Sequence, residues 1–525
     1  MNKQISEWTK DGVELPKFDV DRMVEYTKEN PVWIHFGAGN IFRGFIAGLQ
    51  QDLLNEGLQK SGIVASDTFD YEIIDKIYKP FDNKTLLALM HADGSLEKKV
   101  VASVGEAVPA DSSNNDAWRR LTEIFASPSL QIVSFTITEK GYALRGMDGK
   151  LMPVVEADIA NGPAHPKHAM AVVTALALSR YNCGKFPVAF ASMDNCSHNG
   201  EKLEAAVMFI ANEWVKNGFA EPEFINWLSD KNKVAFPWSM IDKITPRPSP
   251  VVQQKLEALG FTNMDPVITS KKTYIAPFVN AEVSRYLVIE DTFPNGRPQL
   301  EKAGVYMTDR NTVNRTETMK VTTCLNPLHT ALAVYGCMTG YTSIASEMQN
   351  ETLVKLIKKI GYDEGLPVVV NPGILNPKDF IDEVVNVRLP NPNIPDTPQR
   401  IASDTSQKIP VRYGETIKSY IAEKRDLNTL IGIPLAIAGW LRYLLAKDDN
   451  GAPFELSPDP MISQVQPIVQ KAASGEGDLH DILSNKTIFG TDLYTTPLAA
   501  KIEALFKEEC GGNGAVMGTL KKHLK

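Results

Sequence analysis

A lysine, an asparagine and a histidine lie close together in the chain, at Lys320, Asn326 and His329. Oxidation of a secondary alcohol to a ketone needs a base for the hydroxyl proton and polar donors for the developing alkoxide. An amine can be that base if burial or neighbouring cations lower its pKa toward neutrality. Each residue alone has an ordinary explanation, since a helix lysine is usually on the surface and Asn–Pro is usually a helix boundary. Together they predict a hydride-transfer site that needs no metal.

A glycine-rich turn near the start of the chain is the second candidate element. Gly37 and Gly39 permit a tight turn and a close approach of the backbone to a pyrophosphate, and the next helix would direct free N–H groups at it. The spacing departs from GxGxxG, because Gly44 follows Gly39 by five residues. Asn40 and Arg43 are further candidates for cofactor contact. The alternatives are an ordinary glycine turn before a helix and a solvated Arg43.

Asp67 ends the predicted second strand, near where a carboxylate would bind the adenosine ribose. A carboxylate at this place would repel a 2′-phosphate, so it favours NAD over NADP. Asp70 competes for this role, and Asp67 has an alternative role as a helix N-cap or turn residue. The turn and the acidic residue together predict a dinucleotide cofactor.

Apolar runs and helical periodicity alternate through the first 306 residues. This pattern predicts an α/β Rossmann-type domain with a mostly parallel sheet and helices on both faces. Beyond it the periodicity is almost entirely helical, so residues 307–525 are predicted to form a mainly α-helical substrate and catalytic domain. The predicted strands are 32–36, 62–66, 130–138 and 186–192. The predicted helices are 41–54, 166–181, 316–338, 351–360, 378–387, 412–423, 427–446, 462–473 and 496–507.

The totals describe an ordinary globular protein of 525 residues, 43% hydrophobic and 22% charged. A net charge of −8 argues against nucleic acid as a partner. The start of the chain lacks a signal-peptide pattern, and no apolar run is long enough to span a membrane. Five cysteines without CxxC spacing favour a reducing cytoplasm. Cys196 and Cys324 are expected to be core fillers, and His35 and His198 to be structural.

The segments around these residues resemble the mannitol dehydrogenase family, the polyol-specific long-chain dehydrogenases. The resemblance covers most of the chain and includes the lysine, asparagine and histidine in the same order. Further matching segments lie at 136–142, 192–200, 236–246, 288–305 and 400–410.

The resemblance implies a role for each matching residue. Lys320 would be the general acid/base, and Asn195 and Asn326 would hold the oxyanion. Glu317 would lie at a proton exit and Glu139 near the nicotinamide end. The residues expected to bind the polyhydroxyl chain are His329, Arg400, Lys408 and Asp242. The resemblance also implies NAD or NADH as cofactor, no catalytic metal, and a monomer or weak homo-oligomer.

One departure from the family spacing has a structural consequence. Five residues separate Lys320 from Asn326 here, whereas the family usually has four. On a regular α-helix Lys320 and His329 would then lie about 180° apart. Pro327 cannot donate to the carbonyl of Thr323. We therefore predict a π-bulge or kink between Lys320 and Asn326; in an unbroken helix, Thr322 or Thr323 could supply a hydroxyl instead.

Arg400 and Lys408 are the pair of residues that bears most on the choice between a sugar acid and a neutral polyol as substrate. An arginine can clamp a carboxylate with two hydrogen bonds. The segment 320–329 is most similar to the fructuronate reductases of the family. It favours reduction of D-fructuronate to D-mannonate with NADH. The alternatives are tagaturonate reductase, mannitol 2-dehydrogenase and a catalytically silent protein that binds NAD or a sugar acid.

Overall fold

The computed structural model describes residue 8 and residues 12–146 and 148–525. The opening residues, from which the expectation of no targeting segment was drawn, lie mostly outside these ranges. The chain divides into two compact units, one ending at Asn314 and one beginning at Arg315, with the short stretch Ala92–Gly94 assigned to the second. The sequence pattern changes earlier, at 306. The reason is that the strand Tyr306–Thr308 pairs with Tyr286–Glu290 and so belongs to the first unit.

The first unit is built on a six-stranded, fully parallel sheet. Its strands are β1 (Trp33–Phe36), β2 (Ile63–Asp67), β3 (Val104–Pro109), β4 (Ile132–Phe135), β5 (Val188–Ser192) and β6 (Val234–Ala235). Their order in the sheet is β3-β2-β1-β4-β5-β6. This is the strand order of doubly wound dinucleotide-binding domains. The predicted Rossmann-type fold is confirmed.

Both faces of this sheet are covered, which explains why its central strands read as continuous apolar runs. Ile34 and Val133 belong to one apolar cluster, whereas their neighbours Trp33 and Ile132 belong to another. Successive side chains of a strand point to opposite faces, so each cluster fills one side. The longer helices of the unit are Val20–Glu29, Ala47–Asn55, Asn115–Ala126, Ala169–Gly184 and Asn199–Lys216.

Smaller sheets complete the first unit, and the sequence did not predict them because their strands are short. A four-stranded sheet joins Val13–Glu14, Leu96–Val101, Thr85–Met90 and Phe278–Glu282. A three-stranded sheet joins Ser239–Asp242, Tyr286–Glu290 and Tyr306–Thr308, and Val267–Ile268 pairs with Tyr274–Ile275. The remaining helices are Ile74–Tyr78, Lys79–Phe81, Thr138–Tyr142, Pro153–Asn161, Pro222–Ser229, Pro250–Ala258 and Leu300–Ala303.

The second unit is mainly helical, as predicted, and each predicted helical segment contains a helix. Several α-helices continue into wider π turns, at Lys320–Cys324, Lys359–Gly365, Val384–Arg388 and Pro410–Gly414. The α-helices are Arg310–Met319, whose first half belongs to the first unit, Asn326–Thr339, Ile344–Glu347, Glu351–Lys358, Pro377–Glu383, Pro398–Ile401, Thr405–Ile409, Glu415–Ala422, Gly432–Tyr443, Ile462–Ser474, His480–Leu483, Lys486–Phe489, Leu498–Glu509 and Ala515–His523. In the part of the chain that the structure describes, no helix is both long and apolar enough to cross a membrane.

Candidate active site

The glycine turn follows β1 directly, at the carboxyl end of the parallel sheet. Gly37 has a φ of 106°, and a Cβ at this position would lie 2.2 Å from the carbonyl oxygen of Thr136. Only glycine fits there. Around Gly39, in contrast, no heavy atom lies within 4 Å of the place where a Cβ would stand. The turn therefore has one position fixed by packing and one with the open space that a pyrophosphate needs.

Asp67 is bonded to this turn. One carboxylate oxygen accepts from the backbone N–H of Ala38 at 3.0 Å, and the other accepts from Phe69 and Asp70 at 2.9 and 2.8 Å. Burial raises the pKa of Asp67, and the three N–H donors partly offset that effect. Asp67 therefore acts as a turn residue, the alternative role that the sequence allowed. A ribose contact stays a prediction, for which the carboxylate has further lone pairs.

Asp70, the competing candidate, is 2% exposed. One of its oxygens accepts from the hydroxyl of Thr269 at 2.5 Å, and the other is buried without a hydrogen-bond partner. Phe69, between the two acids, is 65% exposed. The exposed surface at the end of β2 is therefore largely aromatic.

Asn40 begins the helix after the turn. Its amide nitrogen donates to the carbonyl of Pro246 at 3.2 Å, while its amide oxygen is buried without a hydrogen-bond partner. A buried polar atom left without a partner is costly, and a ligand hydroxyl or bound water would satisfy it. Asn40 therefore remains a good candidate for contact with a cofactor.

Arg43 is not the solvated residue that the sequence allowed, because it is only 1% exposed. Its guanidinium donates to the hydroxyl of Thr85 at 3.0 Å and to the carbonyl of Pro277 at 3.2 Å. Burial lowers the pKa of Arg43 to about 10. These bonds tie the helix after the turn to neighbouring strands, so the structure supports an anchoring role. Contact with a pyrophosphate stays a prediction.

Gly44 explains the unusual glycine spacing. A Cβ there would lie 2.7 Å from Cγ1 of Val279, so the third glycine allows close packing of the helix on its neighbours. The helix has a π turn at Phe42–Ile46 before it continues as Ala47–Asn55. A π turn holds more residues than an α turn, which fits the wider spacing between Gly39 and Gly44.

Asp194 joins two of the family-like segments in the first unit. Its carboxylate accepts from the backbone N–H groups of Ile137 and Thr138 at 3.0 and 2.8 Å, and from the hydroxyl of Tyr142 at 2.6 Å. Thr138 has a φ of 64°, a strained value for a β-branched residue. Asp194 thus holds the turn after β4 against the loop after β5. Asp194 lies in the family-like segment 192–200, but its spacing in the sequence did not indicate this role.

The other predicted residues of the first unit differ in exposure. Asn195 lies exposed on the loop after β5. Asp242, at the end of the strand Ser239–Asp242, is 6% exposed. Glu139 is exposed and pairs with Lys202 at 2.6 Å, at the edge of a cavity of about 450 Å³. Their predicted contacts with substrate and nicotinamide stay predictions.

The predicted interruption of the helix that carries Lys320 is confirmed. Lys320–Cys324 form a π turn in which the N–H of Leu325 donates to the carbonyl of Lys320 at 3.1 Å. A new α-helix begins at Asn326. With one residue absorbed, the angle between Lys320 and His329 falls from about 180° to about 80° on standard helical geometry. The alternative based on an unbroken helix does not apply, and Thr322 instead donates to the carbonyl of Thr318 at 2.8 Å.

Lys320 is 3% exposed, which excludes the ordinary explanation of a surface lysine. Burial disfavours the charged form of an amine. An amine must be uncharged to act as a base at neutral pH, so burial of Lys320 fits that role. Glu317, one helical turn earlier, is half-buried. Its predicted place at a proton exit is compatible with this intermediate exposure.

His329 and Arg400 meet at a residue that the sequence did not indicate, Asp396. Nε2 of His329 lies 2.9 Å from one oxygen of Asp396, and the guanidinium of Arg400 donates to the other. Asn326, one turn before His329, is half-buried, and its carbonyl accepts from Thr330 at 3.0 Å. Asp396 comes 67 residues after His329 in the chain, so the one local signal for it is its four-residue spacing from Arg400.

Lys408 is bonded differently from Arg400. Its ammonium donates to the carbonyls of Ile401, at 2.9 Å, and Ser403, at the end of the helix Pro398–Ile401. Burial is the largest cause that lowers the pKa of Lys408, to about 8, and the charges of Arg412 and Arg400 add to it. Lys408 is therefore a cation whose charge is easily lost.

Arg412 is a cation of this region that the sequence did not single out. It donates to the hydroxyl of Thr330 and, at 3.4 Å, to the carbonyl of Asn326. Its Nε is buried without a hydrogen-bond partner, and burial lowers its pKa to about 10. Lys408, Arg400 and Arg412 form what we call the cationic group of the second unit.

Three residues next to the predicted motifs, His35, His198 and Cys324, have structural surroundings. His35 contacts the hydroxyls of Ser134 and Thr136 at 2.6 and 2.8 Å, and burial lowers its pKa to about 3. His198 stacks on Trp238 with ring centroids 4.5 Å apart. Cys324 is buried, and burial raises its pKa to about 12. Among the described residues, no cluster of three or more histidines, cysteines and acids could hold a metal ion.

Comparison with known proteins gives end-to-end similarity. The model of the mannitol dehydrogenase Rossmann domain matches residues 31–302, and that of the mannitol dehydrogenase C-terminal domain matches residues 312–508. The D-mannonate oxidoreductase of Thermotoga maritima is 52% identical over 99% of this chain and 97% of its own.

Two solved structures extend the comparison. The substrate-free form of a D-sorbitol dehydrogenase superposes with a TM-score of 0.82 at 25% identity, over 99% of this chain and 100% of the other. The mannitol 2-dehydrogenase of Pseudomonas fluorescens, in a ternary complex with NAD and D-mannitol, gives 0.71 at 27% identity over 99% of both chains. The expected resemblance is therefore confirmed: the chain belongs to the mannitol dehydrogenase family of oxidoreductases.

Proposed function

We propose that the protein catalyses the reversible, NAD-dependent interconversion of D-mannonate and D-fructuronate. The observation that carries this proposal is the 52% identity to a D-mannonate oxidoreductase along almost the whole of both chains. The cationic group of the second unit also supports it, because a sugar acid carries a carboxylate that a neutral polyol lacks.

Features of the first unit support the binding of NAD. Gly39 leaves open space for the pyrophosphate, and the amide oxygen of Asn40 lacks a partner. We assign Gly37, Gly39, Asn40 and Asp67 to cofactor binding, with Asp67 favouring NAD over NADP. NAD, when bound, supplies the hydride acceptor of the oxidation.

Lys320 is the proposed general base. In oxidation its amine takes the proton of the secondary hydroxyl, and in reduction its ammonium returns that proton to the forming alcohol. The burial of Lys320 supports this role, since the neutral amine must be present near neutral pH. Glu317 would pass the proton onward to solvent.

Amide and imidazole groups are proposed to hold the sugar. Asn195 and Asn326 would donate to the oxygen that carries negative charge as the carbonyl forms or reacts. His329 and Asp242 would bind further hydroxyl groups. The π turn supports the pairing of Lys320 with His329, because it returns them toward one side of the helix.

The substrate carboxylate would bind to the cationic group. An ammonium has three N–H donors, and Lys408 uses two on backbone carbonyls, so one remains for a carboxylate oxygen. Arg400 is mostly exposed and can contact the same group. Tagaturonate, another uronate, would use the same contacts.

A neutral polyol is the second candidate substrate, as in mannitol 2-dehydrogenase. The observation that favours it is the ion pair of Arg400 with Asp396, which offsets one of the positive charges. A catalytically silent binding protein is less well supported, because the π turn removes the spacing anomaly that favoured it.

Initial rates of NAD reduction should be measured with D-mannonate, D-altronate, D-mannitol and D-sorbitol, and with NADP as a second cofactor. We expect kcat/KM for D-mannonate with NAD to exceed every other combination by at least about tenfold. Faster oxidation of D-mannitol would contradict the proposal, and faster oxidation of D-altronate would identify a tagaturonate reductase. No oxidation with either cofactor would indicate the silent protein.

A further inference from the structure

Asp396 stands between two residues that the family resemblance assigns to sugar binding. One carboxylate oxygen accepts from Nη2 of Arg400. The other lies 2.9 Å from Nε2 of His329, within ion-pair distance, although the two groups are not aligned as a hydrogen bond. The side chain of Asp396 is 9% exposed, whereas those of His329 and Arg400 are 17% and 67% exposed. The acid thus lies deeper than the groups it contacts.

The backbone holds Asp396 firmly in this place. Its N–H donates to the carbonyl of Ile394 at 2.8 Å, and its carbonyl accepts from the N–H of Ile344 at 2.9 Å. Thr397 caps the next helix, which carries Arg400 one turn after Asp396. These bonds do not involve the carboxylate, so they would survive a change of the side chain.

Asp396 is the carboxyl group beside His329 and Arg400 that carries the negative charge. Burial alone would raise the pKa of Asp396, but His329 and Arg400 outweigh that effect and the pKa is lowered. A second carboxyl, Glu347, faces it, and burial together with the charge of Asp396 raises the pKa of Glu347 to about 9. A negative charge at Asp396 and a neutral Glu347 are therefore the arrangement near neutral pH.

We propose that Asp396 is a positioning residue for sugar binding, an inference that rests on the proposed function. Its carboxylate fixes the guanidinium of Arg400 and the ring of His329 relative to each other. Contact of Nε2 with a carboxylate favours the proton on that nitrogen. Nδ1 of His329 is then the acceptor for a substrate hydroxyl.

The proposal separates sugar binding from cofactor binding. Asp396, His329 and Arg400 all belong to the second unit, whereas the glycine turn belongs to the first. Loss of the charge at Asp396 should therefore weaken sugar binding and leave NAD binding intact. A purely structural role would instead lower stability without a selective effect on the KM for sugar.

The test compares Asp396→Asn, which keeps the size and removes the charge, with the matched control Asp449→Asn. Asp449 is equally buried, since each of the two residues as a whole is 7% exposed. Asp449 instead caps the last helix by accepting from Val516 and Met517. For Asp396→Asn we expect the KM for D-mannonate to rise by at least about tenfold and the KM for NAD to stay within about twofold. Asp449→Asn should change neither. Equal kinetics of the two variants would overturn the proposal.

A second measurement does not depend on turnover. Histidine-selective ¹⁵N labelling gives a spectrum in which the signals lost in His329→Gln identify His329. The proposal predicts that Asp396→Asn shifts these signals and that Asp449→Asn does not; unshifted signals in Asp396→Asn would overturn it. If the wild-type protein oxidises none of the four sugars, the proposed function fails while the spectrum still decides the role of Asp396.

Discussion

The charge of Lys408 depends strongly on its surroundings, and this gives a test of substrate class. Its pKa is lowered to about 8, so the ammonium is present below that value and is lost as the pH rises through it. We expect the KM for D-mannonate to rise between about pH 7 and pH 9, because an anion loses a binding partner. The KM for D-mannitol, which is neutral, should not follow the same curve.

The matched variant for this prediction is Lys408→Arg, which keeps its charge throughout that range. It should flatten the dependence of the KM for D-mannonate on pH. An unchanged slope in the arginine variant would show that another group causes the effect.

Glu347 predicts a change in stability with pH. Burial, and then the charge of Asp396, raises its pKa from 4.5 to about 9. For a carboxyl whose pKa is raised on folding, the contribution to stability is full below about pH 4.5 and declines as the pH rises toward 9. Glu347→Gln cannot ionise, so its melting temperature should fall less than that of the wild type between about pH 5 and pH 8. Parallel curves would show that Glu347 is charged in the folded protein.

The types and spacing of residues in the sequence were enough to select candidate site residues. They did not show which of these residues are buried. Lys320 and Arg43 are both cations on helices, and both turn out to be almost fully buried. The partners of Arg43 are Thr85 and Pro277, which are distant in the chain, and local spacing does not reveal them. Asp396 lies four residues before Arg400, a spacing typical of ion pairs on a helix, but only the fold brings it to His329.

At the scale of elements, replacing each glycine of the cofactor turn by alanine should have a different effect: one change should lower stability and the other should weaken NADH binding. Gly37→Ala would place a methyl group 2.2 Å from the carbonyl oxygen of Thr136 at a positive φ, so we expect the fold to be lost or severely destabilised. Gly39→Ala meets no neighbouring atom, so the melting temperature should be almost unchanged while NADH binds at least about tenfold more weakly. Fluorescence titration and thermal unfolding measure both.

Gly48→Ala is the control for the glycine pair. It lies in the helix Ala47–Asn55, and nothing stands within 4 Å of its Cβ position. Alanine should stabilise this helix by about 0.5–1 kcal/mol without affecting NADH. If Gly39→Ala binds NADH as tightly as Gly48→Ala does, the pyrophosphate does not approach Gly39.

Two of the π turns show which irregularities a sequence can reveal. The turn at Lys320–Cys324 was predictable because the extra residue was visible against the family spacing and Pro327 could not continue the α-helical bonding. The turn at Phe42–Ile46 was not predicted, although the wide spacing of Gly44 is explained by it in retrospect. The difference is that the first turn lies between Lys320 and Asn326, two residues that were expected to act at the same site. No such expectation existed for residues around the second turn.

For the whole molecule, selective stabilisation by cofactor tests the assignment of NAD. A ligand that binds the folded state at 100 times its Kd raises the free energy of unfolding by about 2.7 kcal/mol. We expect NADH to raise the melting temperature and NADPH at the same concentration to have a smaller effect, because the carboxylate of Asp67 at its predicted place beside the ribose would repel a 2′-phosphate. Equal shifts would contradict the preference for NAD.

The overall architecture was largely predictable, since alternating strands and helices followed by helical periodicity fix a Rossmann-type unit and a helical unit. The short strands of the smaller sheets were not, because two to six residues carry little periodic signal. The helices of four or five residues in the second unit, such as Pro398–Ile401, were not predicted for the same reason.

The central claim is that the amine of Lys320 moves the proton of the reacting hydroxyl. Lys320→Ala should lower kcat by on the order of 10²–10⁴-fold, retain NADH binding by fluorescence titration, and recover activity as methylamine is added. The control Lys501→Ala removes a lysine that donates to the carbonyls of Asn428 and Leu430 and should keep the wild-type rate. A Lys320→Ala enzyme that oxidises D-mannonate at more than about a tenth of the wild-type rate without added amine would contradict the account.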